Sequence, residues 1–224
     1  QPVTCGQLQG GEAELPTSGA MTGSWAVSFG MPSRSPDVWR RDIESTRTSL
    51  PSGKLLSVSV VGTVQHGWSI EDLANDYAQC ARWAVDSGAD CIETNFSCPN
   101  VTTCDGQLYQ QPDHARIVAT RVRNAIGAIP YIVKVGHVET RAQSGRLLEA
   151  LAPYATALAM TNSVAATVVD GAGELLFDGE RRGICGTATR EASLTQLRTF
   201  AELTGGPEVE LVGVGGVFTA DDVK

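Results

Sequence analysis

The chain has 224 residues, of which 42% are hydrophobic, and a formal net charge of −8. That is enough apolar content for one large domain or two small ones. The acidic balance, with no basic cluster, argues against a nucleic acid or an anionic membrane as partner.

Residues 1–34 are rich in Gly, Ser, Pro and Thr and read mostly as loop. The N-terminus has neither a basic start nor an apolar core, so no signal peptide is expected, and the missing initial Met fits a fragment. A helix begins with Ser35 as N-cap and Pro36 at its first position and runs to a stop at Pro51. Residues 55–62, "LLSVSVVG", follow as a short buried strand, far below the about 20 residues a membrane span needs. The next helix places Leu73, Tyr77, Cys80, Ala81 and Ala84 at helical spacing and closes at Gly88.

The alternation continues through a strand over 90–95, a helix over 113–127, a strand over 131–136, a helix over 140–154 and a strand over 157–162. A long Gly-rich excursion over 163–189 comes next. It contains "RRGICG" (181–186), which by itself reads as a solvated loop. A helix over 192–206 and a strand over 208–216 complete the pattern, and "TADDVK" opens one more helix. Five strands alternating with helices predict a parallel sheet with right-handed crossovers. Both a doubly wound sheet and a (β/α)₈ barrel satisfy this. A barrel needs eight strands and about 250 residues, so this chain would hold only part of one. No repeat or linker points to a second domain.

The six cysteines (Cys5, Cys80, Cys91, Cys98, Cys104 and Cys185) show no CxxC spacing, so no zinc or iron–sulfur site is expected and the thiols are expected to stay reduced. The unusual polar residues collect at strand C-termini. One strand ends in "TNFSCPN" with Asn95, Ser97, Cys98 and Asn100, the next carries Lys134, and the next ends at Thr161, Asn162 and Ser163. The last ends in "GVGGV" with Gly213, Gly215 and Gly216. Ligands of parallel α/β folds bind at that end of the sheet. Asn and Ser at strand ends also make turns, and a lone Cys is commonly a small buried hydrophobe. Lys134 is harder to explain structurally, because an ammonium in an apolar strand is costly without an anion or a polar ligand. "GVGG" lacks the third glycine of a dinucleotide fingerprint. Followed by "FTADDV", it would still offer bare amides to a phosphate at a helix N-terminus.

Together "ETNFSCPN", "IVKVG", "MTNSV", "GICGTA" and "VGVGGV" resemble, in order, the motifs of the FMN-dependent dihydroorotate dehydrogenase family, and the flavin-reducing barrel of dihydropyrimidine dehydrogenase is similar. The resemblance runs from about residue 24 to 224. It implies a single FMN-binding (β/α)₈ TIM-barrel domain over 1–224, incomplete in this chain, with early strands and the last strand missing. Lys134 would lie by the flavin's pyrimidine edge, with Asn95 and Thr161 also at the cofactor. Gly186, Gly215 and Gly216 would hold its phosphate. Asn95, Asn100, Asn162 and Ser163 would bind the substrate, a dihydropyrimidine such as dihydroorotate. Cys98 would be the general base, with Cys104 as the alternative by analogy with the dihydropyrimidine branch.

This fits the chemistry of the residue types. Oxidising a C–C bond beside a carbonyl needs a base on one face and a hydride acceptor on the other. Carboxamides offer the donors and acceptors that a cyclic ureide matches. The Cys in "SCPN" resembles the soluble class, not the quinone-using one. The resemblance also implies a cytoplasmic homodimer, with or without an electron-transfer subunit. Two departures weigh against dihydroorotate itself: "VSFGMPS" has Val27 where the family's substrate loop begins with Asn, and Cys5 stands where a Lys is expected. A non-catalytic truncated relative of the barrel is the competing reading.

Overall fold

The computed structural model describes residues 24–27, 33–97, 107–169, 173–205 and 209–223. In chain order its elements begin with β1 (Ser24–Val27), α1 (Pro36–Ser49), β2 (Ser57–Val60), α2 (Ile70–Asp86) and β3 (Cys91–Asn95). There follow α3 (Pro112–Ile126), β4 (Tyr131–Lys134), α4 (Arg141–Leu151) and β5 (Ala157–Met160). The last are β6 (Val164–Ala166), β7 (Arg182–Gly186), α5 (Arg190–Thr204) and β8 (Glu210–Gly213).

Local chemistry accounts for the helix boundaries. Reciprocal capping boxes start α2 (Ser69 with Asp72) and α4 (Thr140 with Gln143). Pro112 occupies the first turn of α3. Ser35 stands at the N-cap of α1 but makes no side-chain cap bond; its carbonyl accepts from the Val38 and Trp39 amides instead.

β2, β3, β4, β5 and β8 form one parallel sheet in that order. Neighbours in the sheet thus follow the order of the chain, with no reversal. Crossovers of a single hand then place every helix on the same face, which is the winding of a barrel and not of a doubly wound sheet. β2 and β8 are the two edges of this open arc, so the barrel is incomplete in this chain.

The strands alternate faces. Val60, Ile92, Thr94, Tyr131, Val133, Leu158 and Met160 are buried toward the helices, against Leu73, Tyr77, Val118, Val122 and Leu151. Within this layer the Thr94 and Tyr131 hydroxyls meet at 2.8 Å, and burial pushes the Tyr131 phenol up. Ser59, Glu93, Asn95 and Lys134, of the opposite parity, line the concave side of the arc.

Three segments differ from the sequence expectation. The loop expected over 1–34 contains β1. The excursion after β5 is likewise not a solvated loop: β1, β7 and β6 form a second, antiparallel sheet, with Trp25 opposite Cys185 and Val164 opposite Ile184. These strands are three to five residues long and only partly covered on both faces, so they carry no clean alternation. Finally, the helix expected from "TADDVK" is a 3₁₀ turn over Ala220–Val223. Among the described residues no helix is long and apolar enough to cross a membrane.

Candidate active site

The last residue of β4, Lys134, points into the arc with its side chain 26% exposed. The anion that its position demands is supplied by Glu93 of β3, whose Oε1 lies 3.7 Å from the Lys134 Nζ. The Ser59 hydroxyl of β2 donates to that same oxygen at 2.7 Å. Sequence reasoning missed Glu93. Its parity with Asn95 in "CIETN" was the available signal, since both must share a face of the strand.

Above this layer, the ends of β3 and β5 are joined by carboxamides. Asn95 Oδ1 accepts from the Ser97 amide (3.2 Å) and from Asn162 Nδ2 (3.3 Å), and Asn162 Nδ2 also donates to the Ser97 carbonyl. Asn162 Oδ1 accepts from the Ser163 amide at 2.8 Å, and the Asn162 amide donates to the Val135 carbonyl. From below, the Tyr77 hydroxyl donates to the Asn95 carbonyl at 3.0 Å. Tyr77→Phe removes this bond between α2 and the strand end. It is expected to lower stability by about 0.5–1.5 kcal/mol, measured as a lower urea midpoint at unchanged slope.

Two buried hydroxyls in this layer, on Ser97 and Thr161, have no hydrogen-bond partner among the described residues. At Ser97 a cavity of about 380 Å³ opens, lined also by Tyr109, His137, Ser163 and Arg181. Gly136 in its wall lies flat under Tyr109, and a Cβ there would come within 2.5 Å of the ring.

The predicted glycines converge, though not where the sequence placed them. Gly186 (φ +86°) closes β7, and its carbonyl accepts from the Thr189 hydroxyl at 2.8 Å. A Cβ on Gly215 would come within 2.8 Å of that hydroxyl, and one on Gly216 within 2.5 Å of the Arg190 Cβ. Ser193 of α5 holds the carbonyl of Val214 at 2.7 Å. All three glycines therefore meet at the start of α5, a 15-residue helix, rather than at a helix opening at Ala220. Backbone amides at such a helix start suit an anion.

Cys185, on β7, had no role assigned from sequence. Burial pushes its thiol up, while a hydrogen bond with the Ser163 side chain and the charge of Lys134 draw it back. Burial likewise raises Cys91, and lifts Cys80 to about 12. None of these three thiols is suited to accept a proton near neutrality. Cys98, Asn100 and Cys104 lie outside the described residues. Of the predicted site residues that are described, Lys134, Asn95, Thr161, Asn162 and Ser163 gather at one end of the sheet. Gly186, Gly215 and Gly216 meet at the adjoining start of α5.

Residues 15–224 match the family model described as dihydroorotate dehydrogenase. The chain is 32% identical to the dihydroorotate dehydrogenase of Dictyostelium discoideum over 85% of its own length and 53% of that protein's. It is 29% identical to the dihydroorotate dehydrogenase B (NAD(+)) catalytic subunit of Staphylococcus carnosus, covering 59% of this chain and 42% of that one. With the dihydroorotate dehydrogenase (quinone) of Clavibacter sepedonicus it shares 28% identity over 70% and 45% of the two chains. The chain thus spans about half the length of the curated relatives it matches. Among solved structures, that of Eimeria tenella DHODH in complex with ferulenol superposes with a TM-score of 0.70 at 18% identity, over 89% of this chain and 58% of that one. That likeness is one of fold.

Proposed function

Since the chain belongs to the dihydroorotate dehydrogenase family, we propose that it carries the flavin half-site of an FMN-dependent oxidoreductase. Its substrate is a dihydropyrimidine such as dihydroorotate, whose ring C–C bond is oxidised or, in reverse, reduced. The observation that supports this most is convergence. A lysine held by a carboxylate, a carboxamide cluster and three converging glycines occupy one rim of the sheet.

The residues fit the cofactor. The turn at the start of α5 offers amides for a phosphate, and the Lys134 ammonium offers positive charge for an electron-rich ring. The partnerless buried hydroxyls of Thr161 and Ser97 suit a polar ligand. FMN, when bound, would accept the hydride. The chain's own residues would do the rest. Lys134 stabilises negative charge, Asn95, Asn100, Asn162 and Ser163 pair with the substrate's N–H and C=O edges, and Cys98 takes the proton. Cys104 would replace Cys98 if the enzyme follows the dihydropyrimidine dehydrogenase pattern. A cytoplasmic homodimer, with or without an electron-transfer subunit, accompanies this reading; the S. carnosus relative is itself named a catalytic subunit.

The test is an absorbance spectrum of the purified protein, followed by anaerobic titration with dihydroorotate and other dihydropyrimidines. A flavin band bleached by one of them supports the proposal. Colourless protein favours a non-catalytic relative instead.

Val27 sharpens the choice of substrate. It ends β1, opposite Gly183 of β7, at the position where the family's substrate loop begins with Asn. A substrate amide left unpaired there costs about 1–3 kcal/mol. Val27→Asn is therefore expected to raise kcat/KM for dihydroorotate about 5- to 140-fold, since each 1.4 kcal/mol is tenfold. No gain, with dihydroorotate already a good substrate of the parent, overturns that reading of the loop.

A further inference from the structure

We infer that Glu93 is a positioning residue. It holds the Lys134 ammonium over the rim of the sheet and sets how much of its charge reaches the bound cofactor, an inference that rests on the FMN reading above. Glu93 stands opposite Ile132, and Lys134 opposite Asn95, so the two are diagonal neighbours on adjacent strands. The carboxylate does not choose its own orientation: Ser59, directly opposite on β2, anchors Oε1 at 2.7 Å.

The 3.7 Å from that oxygen to Nζ is beyond hydrogen-bond distance. Glu93 thus attracts and orients the ammonium while leaving its N–H donors to another acceptor. Both side chains are about three-quarters or more covered, at 26% and 20% exposure, so their charges are incompletely screened. Asn95, directly opposite Lys134, is neutral, and the Cys185 thiol, which feels the lysine's charge, carries no opposing charge when protonated. Glu93 therefore tempers the lysine. An ammonium without it would favour the electron-rich reduced ring more strongly.

The experiment compares the FMN-loaded parent with Glu93→Gln and Glu93→Asp. Glu93→Gln keeps the acceptor for Ser59 and removes the charge. It should retain FMN and raise the two-electron midpoint potential by at least a tenfold change in the reduced-to-oxidised ratio, about 30 mV. Glu93→Asp keeps the charge on a shorter stem and should lie between. FMN bound at an unchanged potential in Glu93→Gln overturns the inference.

A second measurement needs no flavin. The chain has three lysines, Lys54, Lys134 and Lys224, so reductive methylation with labelled formaldehyde gives few NMR signals. In Glu93→Asp and Glu93→Gln the Lys134 signal should move while those of Lys54 and Lys224 stay. An unmoved Lys134 signal overturns the pairing even if the parent binds no FMN. Colourless protein with a moved signal sinks the FMN reading alone and leaves the Glu93–Lys134 pairing supported.

Discussion

Cys98→Ala is expected to slow reduction of the bound flavin by substrate about 10²–10⁴-fold, the usual worth of a general base, at unchanged flavin content. β3 ends at Asn95, and just beyond it Ser97 has its amide tied to Asn95 and its carbonyl to Asn162. In sequence Cys98 directly follows Ser97, whereas Cys104 follows six residues later. A thiol titrates near 8.5 in the absence of perturbation, so the parent's rate of flavin reduction should rise with pH across neutrality. Cys98→Ser should lie between parent and Cys98→Ala, recovering mainly at high pH. Stopped-flow reduction of the loaded protein is the measurement. A slow Cys104→Ala with a fast Cys98→Ala would transfer the base to Cys104 and favour the dihydropyrimidine dehydrogenase pattern. Two fast variants would remove both thiols from the mechanism.

Gly216→Leu is expected to yield protein without flavin. At φ +72° any L side chain is strained, at about 1–3 kcal/mol. Its Cβ would also come within 2.9 Å of the Arg190 Cα, which is the backbone of α5 and cannot swing aside. The loop must withdraw from the helix start, and the proposed phosphate seat goes with it. Gly205→Ala separates the two effects. Gly205, at the C-terminal cap of α5, also has a positive φ (+59°) but open space around its Cβ position. It should lower the melting temperature and leave the flavin-to-protein ratio intact. Stoichiometric flavin in Gly216→Leu overturns the phosphate assignment.

The parallel sheet was legible because each of its strands is a short segment of continuous or alternating apolar residues, separated by helices with recognisable starts. β1, β6 and β7 were not, since strands that are partly covered on both faces leave no period to detect. Lys134 stood out because charge inside an apolar strand needs a reason. Its partner did not, because a glutamate in "IETN" looks like ordinary alternation until the register sets it diagonal to the lysine. The helix expected to open after Gly216 is a 3₁₀ turn, and the glycines adjoin the start of α5 instead. Their meeting at Thr189 and Arg190 joins parts of the chain that no local pattern connects. Cys185 was hidden for the same reason.

The antiparallel pairing of β1 with β7 also bears on the order in which the two sheets can form. Within the parallel sheet every strand pairs with its neighbour in the order of the βα units, so each unit can add to the one before it at a modest cost in loop closure. β1 has no such neighbour. Ser24 pairs with Gly186, and its hydroxyl accepts from the Ala188 amide across 164 positions of chain. β1, once made, must therefore wait for β7, which follows it by more than 150 residues.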